Sequence, residues 1–186
     1  MKLSMFKRLT AIAALATSIA VQASPVLAST RSNQEHHRTL IETAKAHGIT
    51  FQANTVECFE KQGAKGFYAG ARRLIVICQP GRVSYIGQVA TITEDNLATV
   101  RHEIQHFIQD CKAGGNHDHV MAPIHDNPVD LAIGVLGTNM AARIVGVYRG
   151  HGASNDLLKM ELEAFAVAAL NNPLKQAKNI TTYCGA

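Results

Sequence analysis

Several sequence patterns that mark common classes of protein are missing from this chain of 186 residues. It contains no internal repeat and no low-complexity tract. No two of its cysteines form a CxxC pair, so a zinc site built from cysteine thiolates is not expected. No cluster of basic residues is denser than Arg72-Arg73, so nothing in the sequence indicates binding to nucleic acid or to an anionic membrane.

The first 28 residues have the three-part layout of a secretory signal peptide. A basic start is followed by an apolar run, Leu9 to Val21, which is too short to span a bilayer. Val26 and Ala28 are the small residues that precede a cleavage site, so we expect cleavage after Ala28, with a site after Ala23 as the second choice. An uncleaved N-terminal anchor is the alternative. Cleavage would leave a secreted or periplasmic protein with no stable membrane insertion.

Residues 29–186 are expected to form one domain with almost no net charge. The whole chain carries 18 basic and 14 acidic residues, a net charge of +4. Three of the basic residues and none of the acidic ones lie in residues 1–28, so the remainder has 15 basic residues and a net charge of +1. Its length suffices for one hydrophobic core and is too short for two. The sequence indicates no oligomeric state.

The four cysteines predict two disulfides. An even number of cysteines behind a signal peptide favours disulfides over free thiols, with three possible connectivities. We expect Cys58 to bond to Cys78, joining two β-like runs, and Cys111 to bond to Cys184, tying the C-terminal tail to the central helix.

The order of the predicted elements indicates an α+β fold. Three predicted helices are residues 33–47, 129–147 and 157–170. A fourth starts at the capping-box pattern Thr91-Ile92-Thr93-Glu94 and ends near Cys111. The predicted strands are residues 55–59, 67–78 and 83–86.

The stretch RHEIQHF, residues 101–107, contains the pattern HExxH within one of these helices. His102 and His106 lie one helical turn apart, so both imidazoles can bind one zinc ion. Glu103 lies on the edge of the same face, where it can act as general base toward a water on the metal. The alternative is a solvated helix face, because apolar residues recur on the opposite side of the helix.

A third ligand is needed, and a later helix offers two candidates, Glu161 and Glu163. A metzincin is excluded, because Gln109 stands where its glycine belongs and Lys112 where its third histidine belongs. Glu161 has apolar neighbours one turn away on both sides, so its charge is expected to be buried and to need a partner such as a metal. Glu163 can instead pair with Lys159 near solvent. Four histidines remain as alternative ligands: His117, His119, His125 and His151.

RHEIQH with a downstream ELEA helix resembles the gluzincin branch of the zincin metallopeptidases, in a small single-domain form. The resemblance covers the order of elements over residues 67–170, and its specific part is these two short motifs. It implies that His102, His106 and Glu161 bind one zinc ion, that Glu103 is the base and that Ala164 occupies a small position. The implied fold is a small zincin-like α+β domain, with a short antiparallel or mixed sheet whose edge strand packs on the HExxH helix beside further helices.

Two further expectations follow from this resemblance. Phe165 stands where the family usually has Asp or Asn, so the carboxylate that orients a ligand histidine must come from elsewhere, and Asp110 is the candidate. The strand Arg73 to Cys78 is expected to be the edge strand that pairs with an extended peptide.

The expected activity is hydrolysis of peptide bonds in a peptide or protein substrate, by a zinc-bound water that Glu103 activates. Candidates for stabilising the oxyanion are Tyr148, Arg149 and His151. Two other functions stay open: a non-catalytic, disulfide-stabilised zinc module with a zincin-like fold, and a small binding protein whose histidines chelate metal loosely.

Overall fold

The computed structural model of the chain describes residues 29–60, 63–78, 93–116 and 120–185. The predicted signal peptide and the predicted strand at residues 83–86 lie outside these residues. The described elements are α1 (Ser29–Ala46), β1 (Thr50–Ala53), α2 (Val56–Glu60), β2 (Gly66–Ala69), β3 (Leu74–Ile77), α3 (Glu94–Lys112), α4 (Pro128–Leu136), α5 (Thr138–Gly150), α6 (Asn155–Leu170) and α7 (Pro173–Cys184). The predicted α+β class is confirmed.

The sheet has the order β1-β3-β2, with β1 parallel and β2 antiparallel to β3. The expectation that Arg73 to Cys78 forms an edge strand is therefore wrong, because β3 lies in the centre. The predicted strand 67–78 is two strands separated by a short 3-10 helix, Gly70–Arg72. Arg73 has a left-handed backbone with φ of 48°, and this turn folds β3 back against β2. In the sheet formed by the described residues, the edge strand that packs on α3 is β2.

The predicted strand at residues 55–59 is also wrong, because the chain forms the short helix α2 there. Asn54 has a φ of 52°, which ends β1 and redirects the chain. Glu57 then accepts a hydrogen bond from Arg72 at 2.7 Å, which links α2 to the turn before β3. The first strand is instead β1, whose four residues pair with β3.

Two helix predictions need correction at single residues. The predicted helix at residues 129–147 is broken into α4 and α5 at Gly137, whose φ of 81° is accessible to glycine and rare in other residues. Pro173 ends the helix before it, as predicted, but it also starts α7. Proline suits the first turn of a helix because its missing N–H would have had no helical partner.

Helix α3 lies in the centre of the fold. It packs against α6 and α7 and against one face of β2 and β3. The main hydrophobic core joins α1, the sheet, α3 and α7, and its fully buried side chains include Leu40, Ile75, Ile104, Phe107, Ile108 and Ile180. A second core lies between α4, α5 and α6. Helix α6 thus contacts both α3 and the α4–α5 pair, so side chains of α6 pack directly against α3.

Both predicted disulfides are confirmed. Cys58 bonds to Cys78 and Cys111 bonds to Cys184, across sequence separations of 20 and 73 residues. Disulfides of this kind persist in oxidising compartments. Among the described residues, no helix combines the length and the apolar character needed to cross a membrane.

Loss of the long-range disulfide should destabilise the fold more than loss of the short-range one. In the chain-entropy account a longer closed loop restricts the unfolded chain more, so we expect roughly 4 kcal/mol for Cys111→Ala with Cys184→Ala and roughly 3 kcal/mol for Cys58→Ala with Cys78→Ala. Urea unfolding of the two double variants measures the difference. A smaller loss for the Cys111–Cys184 pair would contradict this ranking.

Candidate metal centre

The two motif histidines are placed by the start of α3. Thr93 is the N-cap, and its side chain accepts a hydrogen bond from the backbone of Asn96. The helix thus begins two residues later than the predicted capping box, whose Thr91 lies outside the described residues. From this start His102 and His106 fall in the middle of α3, on the side that contacts α6.

The face of α3 that carries the motif is buried and is not a solvated surface. His102 is 4%, His106 3% and Glu103 0% exposed. Apart from Ala98, all residues from Leu97 to Asp110 are buried. The alternative of a polar face in water is therefore excluded, because α6 covers that face while the sheet and α7 cover the others.

Helix α6 brings Glu161 to both histidines. The Nε2 atom of His102 lies 3.3 Å from Oε2 of Glu161, and Nε2 of His106 lies 3.5 Å from Oε1. The two Nε2 atoms are 3.1 Å apart. Ligands at about 2.0–2.1 Å from a tetrahedral zinc ion are about 3.3 Å from one another. Each distance is close to that spacing, with the two histidines facing different oxygens of the Glu161 carboxylate, and the three residues can hold one metal ion.

The charges of this cluster favour a cation at its centre. Burial alone would lower the pKa of His106, but the carboxylates of Glu161 and Glu103 and the contact with Gln109 together raise it to about 9. Burial alone would raise the pKa of Glu161, but His106 and His102 hold it well below the usual range of a carboxyl. Glu161 is 0% exposed, and neither of its oxygens has a hydrogen bond of normal geometry among the described residues. A buried carboxylate of this kind needs a positive partner, and a metal ion fits the donor set.

Glu103 is buried beside the cluster without contributing to it. Burial raises the pKa of Glu103, while the imidazoles of His102 and His106 lower it and the Glu161 carboxylate raises it further. The backbone N–H of Tyr68 on β2 also faces the carboxylate and lowers its pKa, and neither oxygen of Glu103 is held by another side chain of the described residues. Its side chain therefore remains able to accept a proton or a hydrogen bond from a molecule that enters the site.

Glu163, the other candidate ligand, faces a different part of α3. It is 0% exposed and accepts hydrogen bonds from Gln105 at 3.1 Å and from Gln109 at 3.3 Å. The predicted pairing with Lys159 is wrong, because Lys159 is bonded to Asp156 at the start of α6. Residues 161 and 163 are two apart on a helix and so point in different directions.

The histidines considered as alternative ligands lie elsewhere or outside the described residues. His125 is bonded through Nδ1 to Glu163 at 2.8 Å, and His151 is exposed at the end of α5. His117 and His119 lie outside the described residues. Of the three oxyanion candidates, Tyr148 is buried with its ring 6.2 Å from that of Phe165, whereas Arg149 and His151 are exposed.

The side chain behind His106 is Gln109. Its Oε1 lies 2.9 Å from Nδ1 of His106. Asp110, which the sequence suggested for this role, instead accepts a hydrogen bond from the hydroxyl of Tyr68 at 2.6 Å. The family resemblance does not indicate Gln109, because the orienting group that it implies is a carboxylate. The position of Gln109 three residues after His106 on the polar face was the feature that could have indicated it.

His102 is supported by aromatic packing. The ring of Phe165 meets it edge-on, with ring centroids 4.5 Å apart. In the described residues, Nδ1 of His102 is buried without a hydrogen-bond partner. The two histidines of the cluster therefore differ in what holds their rings: Gln109 contacts His106, and Phe165 packs against His102.

Replacing Phe165 with Asp should tighten metal binding. An acceptor at this position can bond to Nδ1 of His102, and such partners are typically worth about 10- to 100-fold in metal affinity. Phe165→Leu is the matched control, because it removes the ring without adding an acceptor. Zinc competition titration measures both variants, and an affinity for Phe165→Asp no higher than that for Phe165→Leu would contradict the prediction.

No family model matches this chain, and no curated protein and no solved structure is significantly similar to it. The functional interpretation therefore depends on the residues and geometry of the site.

Proposed function

We propose that this protein is an exported zinc-dependent metallopeptidase with the catalytic arrangement of a small gluzincin. The observation that carries the proposal is the cluster of His102, His106 and Glu161, whose donor atoms lie close enough together to hold one metal ion, with the buried carboxylate of Glu103 beside it. A purely structural cluster has no need of a fourth ionisable residue at this position.

The donor set supports zinc. Two imidazole nitrogens and one carboxylate are the ligands of one common class of catalytic zinc site, which leaves the fourth position open. When bound, zinc would supply Lewis acidity that polarises a peptide carbonyl and acidifies a water molecule. His102 and His106 would present Nε2 to the ion, and Glu161 would present a carboxylate oxygen.

Glu103 is the proposed general base. It follows His102 directly and lies at the edge of the ligand cluster, so it can accept the proton of a water held there and pass it to the leaving amine. Its burial excludes bulk water that would otherwise compete for its oxygens.

The proposed substrate position is along β2. Gly66 lies so close to α3 that an added Cβ would approach Cγ2 of Thr99 to 2.7 Å and Cγ of Glu103 to 3.4 Å. This close packing brings the edge strand of the described sheet beside the proposed base. The backbone N–H of Cys78 donates to the carbonyl of Lys65, so these two residues are a hydrogen-bonded pair. Hydrogen-bonded and non-bonded pairs alternate along antiparallel strands. Gly66 therefore belongs to a non-bonded pair, and its N–H and C=O point away from β3. An extended peptide can pair with such an edge.

The two disulfides and the signal-peptide pattern support export to the periplasm or the cell exterior. Metal analysis of the purified chain, with hydrolysis of an unfolded protein as the assay, tests the proposal. We expect one zinc per molecule and an activity that a chelator removes and zinc restores.

One observation favours a second function, a non-catalytic zinc module. The ligands are almost completely buried, as in structural sites that stabilise a fold. Stoichiometric zinc with no hydrolysis of any peptide would favour this module, and removal of the metal would then lower the free energy of unfolding.

A further inference from the structure

We infer that Glu163 is a positioning residue of the metal centre, which acts through the side-chain amide of Gln109 to fix the nitrogen that His106 presents to the metal. This inference rests on the proposed zinc centre. It gives a role to a buried carboxylate that lies next to the site and binds no metal in it.

Glu163 is completely buried and is surrounded by donors. Its hydrogen bonds come from the side chains of Gln105, Gln109 and His125 and from the backbone N–H groups of Ile124 and His125. An ionised carboxylate can only accept, so these contacts satisfy both of its oxygens. Glu163 is therefore a fixed hydrogen-bond acceptor at the point where α3, α6 and the segment before α4 meet.

The fixed acceptor determines the orientation of the Gln109 amide. Nε2 of Gln109 donates to Oε2 of Glu163 at 3.3 Å and to the backbone carbonyl of Met160 at 3.1 Å. The amide has two N–H groups, and both face acceptors. A flipped amide would place its oxygen against the carboxylate and the carbonyl, so Oε1 must point the other way, toward His106.

The orientation of Gln109 determines the tautomer of His106. Oε1 of Gln109 can only accept, and it lies 2.9 Å from Nδ1 of His106. The imidazole must therefore carry a proton on Nδ1. In the neutral ring this leaves the lone pair on Nε2, the atom that lies beside His102 and Glu161. The Glu163 carboxylate and the Met160 carbonyl, both on α6, thus orient His106 on α3 through the amide of Gln109.

The same carboxylate ties the segment before α4 to the metal centre. Ile124 and His125 donate their backbone N–H groups to Glu163 at 3.0 Å and 3.2 Å. The nearby N–H of Ala122 donates to the backbone carbonyl of Gln109. Residues 122–125 are therefore held by the two residues that orient His106.

The test uses three single variants of the full mature chain, with zinc as the probe. Gln109→Met removes the acceptor for His106 and leaves the carboxylate of Glu163 in place. Glu163→Gln supplies an amide that allows Gln109 to flip. Gln105→Met is the matched control, because Gln105 donates to Glu163 from the same helix without bonding to His106 in the described structure.

Two measurements distinguish positioning from a general effect on the fold. Competition titration gives the zinc affinity, and NMR of the zinc-loaded protein detects the Nδ1–H proton of each ligand histidine and its exchange with water. For Gln109→Met and Glu163→Gln we expect a loss of about 10- to 100-fold in zinc affinity and faster exchange at His106. The Nδ1–H of His102, which has no acceptor in the described residues, should not change. Gln105→Met removes one of several donors to Glu163 and leaves the Gln109–His106 contact in place, so it should lose far less zinc affinity than Gln109→Met and keep a protected proton on His106.

The inference is overturned if Gln109→Met binds zinc as tightly as the wild type and keeps a protected proton on His106. It is equally overturned if Gln105→Met loses as much affinity as Gln109→Met, because packing would then explain both. If Glu163→Gln does not fold, Gln109→Met decides. Absence of zinc binding by the wild type would instead overturn the metal centre itself, so the two failures are distinguishable.

Discussion

Zinc-loaded Glu103→Gln should contain as much metal as the wild type and hydrolyse peptides about 10²- to 10⁴-fold more slowly, the usual contribution of general acid–base catalysis. The metal should be kept because Glu103 is not among the three clustered donors. The fold should be kept because glutamine has nearly the same shape, and its amide oxygen can still accept from the backbone N–H of Tyr68.

The reason for the loss is that an amide cannot take up a proton as a carboxylate does. Burial raises the pKa of Glu103, which is the direction that favours such uptake. The measurement is turnover of an unfolded protein substrate, with zinc content determined on the same samples. Gln105→Met is a suitable control, because it alters a buried side chain of α3 on another face. Equal turnover in Glu103→Gln and the wild type would remove Glu103 from the mechanism.

Loss of Glu161 should weaken zinc binding by about two orders of magnitude or more. Structural zinc sites with four ligands are worth about 10–16 kcal/mol, so the share of each ligand is roughly 3 kcal/mol. Glu161→Ala removes a ligand that is 0% exposed, and the described structure offers no other carboxylate within the cluster to replace it.

Glu163→Ala is the comparison for this variant, because both residues are buried glutamates of α6. It should lower zinc affinity by about 10- to 100-fold, less than Glu161→Ala, because Glu163 acts on His106 through Gln109 and is not itself a ligand. The double variant His102→Ala with His106→Ala should bind no stoichiometric zinc. Zinc retained by that double variant would refute the site, and a greater loss from Glu163→Ala than from Glu161→Ala would move the ligand to Glu163.

Sequence periodicity predicted the motif helix well but not its surroundings. Residues 102, 103 and 106 lie on the predicted face of α3, because spacing along a helix fixes their directions. The same periodicity left a solvated face open as the alternative, and α6 covers that face. A polar helix face is exposed to solvent only when no neighbouring element supplies polar groups that bond to it. Here α6 supplies the carboxylates of Glu161 and Glu163 and the carbonyl of Met160.

The strand errors have a local cause that the sequence did not make visible. Thr55 to Phe59 and Phe67 to Cys78 are rich in residues that favour strands, but Asn54 and Arg73 adopt left-handed backbone conformations that redirect the chain. These conformations are rare in residues other than glycine, so the pattern alone predicted continuous strands. The turn at Arg73 pairs β2 with β3, and β3 is central because β1 pairs with its other side.

The sequence by itself determined the α+β class, the placing of His102, Glu103 and His106 on one helix, and the burial of Glu161 among apolar neighbours. These properties depend on residues within one or two helical turns of one another. The tertiary structure decided the strand order, the choice of Glu161 over Glu163 at the histidines, and the support of His106 by Gln109 and not by Asp110. Each of these depends on which atoms of α3, α6 and β2 meet, and 54 residues separate His106 from Glu161 along the chain. Packing of the whole core fixes such contacts, because a small rotation of either helix would bring a different side chain to the same place.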